Sequence, residues 1–190
     1  MKIIEQEEVR KLLQPKDCIQ LMAEALKGLE SGEYVQPARL ITVMPNTAKF
    51  GFMPAYVGDY FGAKVISAFA PNMGTKYPSH IGYVMLFESA HSTVAGMIEA
   101  GSITEIRTGA VSAAATDLLA RKDSHKLALI GAGAQARSHL AAIREIRDIT
   151  SVTVYDLFQQ AAERFVKDMQ EKYKIPVTVC STVKEAVKDA

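Results

Sequence analysis

The chain has 190 residues, 48% of them apolar and 23% charged. This is the composition of a water-soluble globular protein with room for one large domain or two small ones. Its net charge of +1 gives no bulk attraction to nucleic acid or acidic membranes, so neither is expected as a partner. No apolar run approaches the ~20 residues of a membrane span, and Met1 to Glu8 is too acidic for a secretory or transit signal. Two cysteines, Cys18 and Cys180, exclude a disulfide framework and suit a reducing, cytoplasmic setting.

Pro15 to Ser31 reads as a helix. Pro15 suits a first helical position, Ile19, Met22, Leu26 and Leu29 share a face, and Gly32 provides a stop. The period then shortens. Arg39–Met44, Phe50–Tyr56 and Ala63–Phe69 are β-like, and Gly82–Phe87 with Thr93–Ile98 forms a further hairpin around 88–92. This grammar predicts an antiparallel sheet. Thr104 to Arg121 reads as a second helix, with Thr104 as N-cap. The small residues Ala110, Ala113, Ala114 and Ala115 suggest close packing against a neighbour. The polar stretch 121–126 is the candidate domain joint.

Beyond it strands and helices alternate. Leu127–Ile130, Val152–Tyr155 and Val177–Cys180 read as strands, Ala134–Ile146 and Gln159–Tyr173 as helices, and Thr182 opens another helix. That βαβαβ order predicts a parallel sheet. Between its first strand and helix stands Gly131-Ala132-Gly133-Ala134-Gln135-Ala136, which fits the G-x-G-x-x-G/A fingerprint of dinucleotide binding. Gly131 permits the tight turn, Gly133 the close approach of a pyrophosphate, and Ala136 tight helix–strand packing. Free N–H groups at the helix start face the phosphates. Asp156 ends the second strand about 20 residues further on, where its carboxylate accepts from the ribose hydroxyls of NAD and repels the 2′-phosphate of NADP. NAD is therefore the expected cofactor.

Three cations in the first half are candidates for a substrate site. Arg39 opens a strand, Lys64 lies within one, and Arg107 falls in the first turn of the predicted helix 104–121, where a cation opposes the helix dipole and a bound anion would explain it. A solvated or ion-paired surface position is the ordinary fate of Lys and Arg, and pattern alone leaves both readings open.

Arg39, Phe52-Met53-Pro54-Ala55, Lys64-Val65-Ile66-Ser67, Ala70-Pro71-Asn72, Ser79-His80-Ile81-Gly82, Thr104-Glu105-Ile106-Arg107-Thr108 and the Gly-Ala-Gly-Ala-Gln-Ala turn resemble, in order and spacing, the ornithine cyclodeaminase/mu-crystallin family. The resemblance runs along essentially the whole chain. It implies that Arg39, Lys64 and Arg107 hold a substrate carboxylate, with Lys64 the candidate catalytic residue. It also implies that Ser79, Arg107, Ala134, Gln135 and Asp156 contact the dinucleotide. His80 stays open between a supporting and a structural role. His91, His125 and His139 have no metal spacing and read as surface or packing residues, so no metal is expected.

The implied chemistry is hydride exchange at the α-carbon of a small amino acid or cyclic imino acid, as in alanine dehydrogenases and ketimine reductases. Two alternatives stay open: an ornithine cyclodeaminase proper, releasing ammonia, and a non-catalytic NAD(P)-binding protein. Gly51 stands where ornithine cyclodeaminases carry a glutamate for the substrate's amino group, which favours a smaller substrate. The expected architecture is α/β: residues 1–124 an α+β substrate-binding and homodimerisation domain, residues 125–190 the first half of a Rossmann domain. The family's catalytic aspartate would lie beyond Ala190, so a truncated form of a longer enzyme is expected.

Overall fold

β-Branched and aromatic residues between Leu40 and Glu99 form five strands of a six-stranded sheet, completed by a short strand at the N-terminus. The computed structural model describes every residue, Met1–Ala190. The chain forms two compact units, Met1–Gln14 with Ala23–Thr104, and Pro15–Met22 with Glu105–Ala190.

In the first unit, β2 (Leu40–Val43), β3 (Lys49–Val57), β4 (Tyr60–Ala68), β5 (His80–Glu88) and β6 (Val94–Glu99) run antiparallel in chain order. A strand that the sequence pattern did not signal, β1 (Lys2–Ile4), pairs parallel with β6 and is followed by α1 (Gln6–Leu12). The sheet is therefore mixed at that edge. Glu5, the N-cap of α1, accepts from the Tyr83 hydroxyl at 3.3 Å and fastens the helix to β5.

α2 (Pro15–Ser31) has the expected bounds. Gly32 follows it at φ +79° and donates to the Leu29 carbonyl, a left-handed turn that glycine takes without strain. α3 (Ala100–Leu119) departs from expectation at its start. Thr104 is not its N-cap. The Glu99 carboxylate accepts from the Gly101 and Ser102 N–H groups instead, so the helix begins four residues early. Arg107 then lies about two turns in. The dipole fades within the first turn, and the opposition inferred for Arg107 does not arise.

The second unit holds β7 (Lys126–Ile130), α4 (Ala134–Ile143), β8 (Ser151–Tyr155), α5 (Gln159–Tyr173), β9 (Val177–Val179) and α6 (Val183–Ala186). The strands are parallel in the order β7-β8-β9, a Rossmann-like βαβαβ arrangement. α4 ends at Ile143 rather than Ile146, and turns occupy 144–146. Val152 and Val154 on the central strand, Leu140 on α4, and Ala162 and Phe165 on α5 are fully buried. Three of the four alanines expected to pack closely on α3 are buried, and Ala115 is exposed. Ala110 and Ala113 are wholly buried, and a Cβ at Gly109 would stand 2.5 Å from the Ser138 carbonyl oxygen. Only small side chains let α3 and α4 approach this closely.

Candidate nucleotide and carboxylate sites

The glycine turn is built as its spacing requires. Gly131 leaves β7 at φ +103°, a backbone state that disfavours any side chain, and donates to the Tyr155 carbonyl at 2.7 Å. Gly133 is the N-cap of α4 and offers no side chain to the helix's first N–H groups, which lack intrahelical partners. A Cβ on Gly133 would meet nothing within 4 Å, and Gly133, Ala134 and Gln135 are exposed. Ala136 packs against the core beneath. The result is an open cradle with unpaired donors and the positive end of a helix, which fits a pyrophosphate.

Asp156 completes it. One carboxylate oxygen accepts from the Ala132 N–H at 2.8 Å, the other from the Phe158 N–H at 2.8 Å. The acid is thus fixed against the glycine turn at the C-terminal end of β8. Each oxygen keeps a lone pair for a hydroxyl donor, so the residues present fit a dinucleotide with a free ribose diol.

His139, read as a surface or packing residue, is bonded at both ring nitrogens: Nδ1 to the Gln135 carbonyl at 2.7 Å and Nε2 to the Ser112 hydroxyl at 2.9 Å. Its spacing of four from Gln135 on one helix was the available signal. Arg107 shares this unit. Burial pushes the Cys18 thiol up, and the nearby Arg107 charge partly opposes that shift.

The other candidates lie in the first unit. Met53 pairs with Lys64 across β3–β4, and Leu40 pairs with Phe52 across β2–β3. Lys64 and Met53 thus share one face of the sheet. Arg39 lies exposed just before β2, and the next pairing on that side, Val35 with Tyr56, is one residue out of the β2–β3 register. The Lys64 ammonium donates to the Thr104 hydroxyl at 3.3 Å. Thr104, expected as a helix cap, is instead a partner of a candidate site residue. Gly51 is buried on the same sheet face; a Cβ there would come within 2.8 Å of Ile66 and 2.9 Å of Ile41. Ser79 sits just before β5, its hydroxyl 3.1 Å from His80 Nδ1. No three of the His, Cys, Asp and Glu residues gather as a metal site would require, and no helix is long and apolar enough to cross a membrane.

Comparison with known proteins gives one consistent answer. The ketimine reductase mu-crystallin of Mus musculus is 34% identical over 172 residues, 89% of this chain and 53% of the mouse protein. The structure of Thermococcus litoralis Δ1-pyrroline-2-carboxylate reductase in complex with NADH and L-proline superimposes with a TM-score of 0.93 at 31% identity, covering 100% of this chain and 60% of that one. An archaeal alanine dehydrogenase dimer with bound NAD gives 0.90 at 28% identity, covering 97% and 57%. The chain thus spans little more than half the length of these relatives. The model of the ornithine cyclodeaminase/mu-crystallin family matches residues 1–190, and the chain belongs to that family.

Proposed function

We propose that this chain is part of an NAD-dependent oxidoreductase acting on small amino acids or cyclic imino acids. Residues 125–190 would hold the dinucleotide and residues 1–124 the substrate. The observation that carries the proposal is the uncapped, open turn Gly131–Ala136 with Asp156 fixed beside it. The pyrophosphate would lie on the first-turn N–H groups of α4, those of Ala134, Gln135 and Ala136. Asp156 would accept from the ribose diol, which favours NAD over NADP. When bound, the dinucleotide supplies hydride exchange at the substrate's α-carbon.

The chain's own residues then orient and neutralise. A carboxylate suits the guanidiniums of Arg39 and Arg107 and the ammonium of Lys64, with Ser79 beside the cofactor. Gly51 puts no acid at that position for a distal substrate amine, and Ile41 and Ile66 crowd it. This favours a compact substrate, such as alanine or a cyclic ketimine, over ornithine. The relatives named above act as reductases or a dehydrogenase, which supports the same reading.

The test is absorbance at 340 nm with a panel of small L-amino acids and cyclic ketimines. Turnover is expected with at least one of them. Lys64→Met should lower kcat/KM by about 100-fold, ~2.7 kcal/mol of lost charge-assisted contact, and leave NADH affinity within about twofold. NADH binding with a flat trace across the panel would favour a non-catalytic binder.

A homodimer in the cytoplasm completes the proposal. The sheet registers put Ile3, Leu40, Phe50, Phe52, Tyr56, Ile81 and Val94 on the face opposite Lys64, and all are at least 41% exposed. An apolar sheet face of this kind calls for a cover, and a second copy supplies one by two-fold symmetry. Sedimentation velocity should show a dimer. Phe52→Lys combined with Ile81→Lys should shift it to monomer; an unchanged dimer would place the interface elsewhere.

A further inference from the structure

We infer that His139, held by Ser112, is a positioning residue for the phosphate cradle, acting through the peptide between Gln135 and Ala136. The inference rests on the dinucleotide reading of the glycine turn.

The Gln135 carbonyl accepts from His139 Nδ1 at 2.7 Å and from the Ser138 hydroxyl at 3.0 Å. A carbonyl only accepts, so Nδ1 carries a ring proton, and in the Nδ1–H tautomer Nε2 accepts from the Ser112 hydroxyl at 2.9 Å. The other end of that same amide is the Ala136 N–H, in the first turn of α4, where no intrahelical acceptor exists. Hydrogen bonds to a carbonyl polarise its amide and make the N–H a stronger donor. Two side-chain bonds on Gln135 therefore strengthen and aim a donor at the open end of the helix. Ser112 adds a second effect. It lies on α3 next to the tightest approach of the two helices, where Gly109 faces the Ser138 backbone. The Ser112–His139 bond thus fixes the register of α3, which also carries Arg107, against the helix that begins the cradle.

Two measurements test this. The first is the nitrogen NMR spectrum of His139 in the protein without ligand. The Nδ1–H tautomer is expected, and the Nε2–H tautomer would overturn the inference. The second is NADH titration by fluorescence, with thermal midpoints measured in parallel. His139→Phe keeps the ring and removes both bonds. It should raise Kd about fivefold, one polarising bond's worth, and move the midpoint by no more than about 4 °C. Ser112→Ala should raise Kd by a smaller factor, and the double variant should be no weaker than His139→Phe alone. Unchanged affinity in His139→Phe overturns the inference and leaves the dinucleotide reading intact. Absence of NADH binding by the unsubstituted protein would remove that reading, and this inference with it.

Discussion

Replacing Arg147 with methionine is expected to destabilise the second unit by about 3 kcal/mol, read as a fall in the urea midpoint at constant slope. Arg147 is only 6% exposed. Its guanidinium donates to the carbonyls of Thr116, Asp117, Ala120, Arg121 and Ile146 and pairs with the Asp117 carboxylate. Four of these carbonyls belong to the end of α3 or the turn after it, where helix geometry leaves acceptors unpaired. Methionine fills the volume and offers no donor, so the Ala120 and Ile146 carbonyls lose the guanidinium, while those of Thr116, Asp117 and Arg121 keep the Ala120 N–H, Lys122 and the Ser124 N–H. Asp117→Asn should cost far less, because that carboxylate is 44% exposed and water replaces the pair.

The pair also sets a pH dependence. Hydrogen bonds from Arg147 and then Lys122 hold the Asp117 carboxyl below its ordinary range. A carboxyl with a depressed folded-state pKa contributes stability that is present above its unfolded value, about 3.9, and lost as pH falls through the folded value. The difference between wild type and Asp117→Asn should therefore be constant at neutral pH and close in acid below about pH 4. A difference independent of pH would mean that the ion pair contributes nothing.

The elements that the sequence announced clearly are those whose signals are local. Pro15 and Gly32 bracket α2, and the 3.6 period runs the length of α5. The glycine turn is legible because its spacing is itself the geometry: a positive φ at Gly131 and open space at Gly133. What stayed hidden depends on partners far along the chain. β1 is three residues, too short to show a period, and exists through its pairing with β6 more than 90 residues away. The start of α3 was misplaced because its cap is the carboxylate of Glu99 rather than the usual Ser, Thr, Asp or Asn. Arg147 gave no signal, since its acceptors at the end of α3 and in the turn after it lie 26 to 31 residues earlier.

The carboxylate side divides the same way. Lys64 and Arg39 stood out through family resemblance, whereas the place of Lys64 beside Met53 follows only from the pairing of β3 and β4. Thr104 was assigned the wrong task, because its contact with Lys64 spans 40 positions. His139 lost its place because a lone histidine on a helix carries no signature of its second partner, Ser112.

The central claim is that the turn from Gly131 to Asp156 holds a dinucleotide pyrophosphate. Gly133→Val tests it with little effect on folding. The backbone there, φ −77° and ψ −167°, suits a branched residue, and a Cβ would meet nothing within 4 Å. The fold should therefore survive with a midpoint shift of a few degrees, as a change of N-cap costs only ~1 kcal/mol. The valine methyls would fill the space that a phosphate must enter. The decisive measurement is fluorescence titration of NADH against wild type and Gly133→Val. The account predicts saturable binding by wild type and a loss of about 100-fold, or ~2.7 kcal/mol, in the variant. Equal NADH affinity in a folded Gly133→Val protein, or none in wild type, would contradict it.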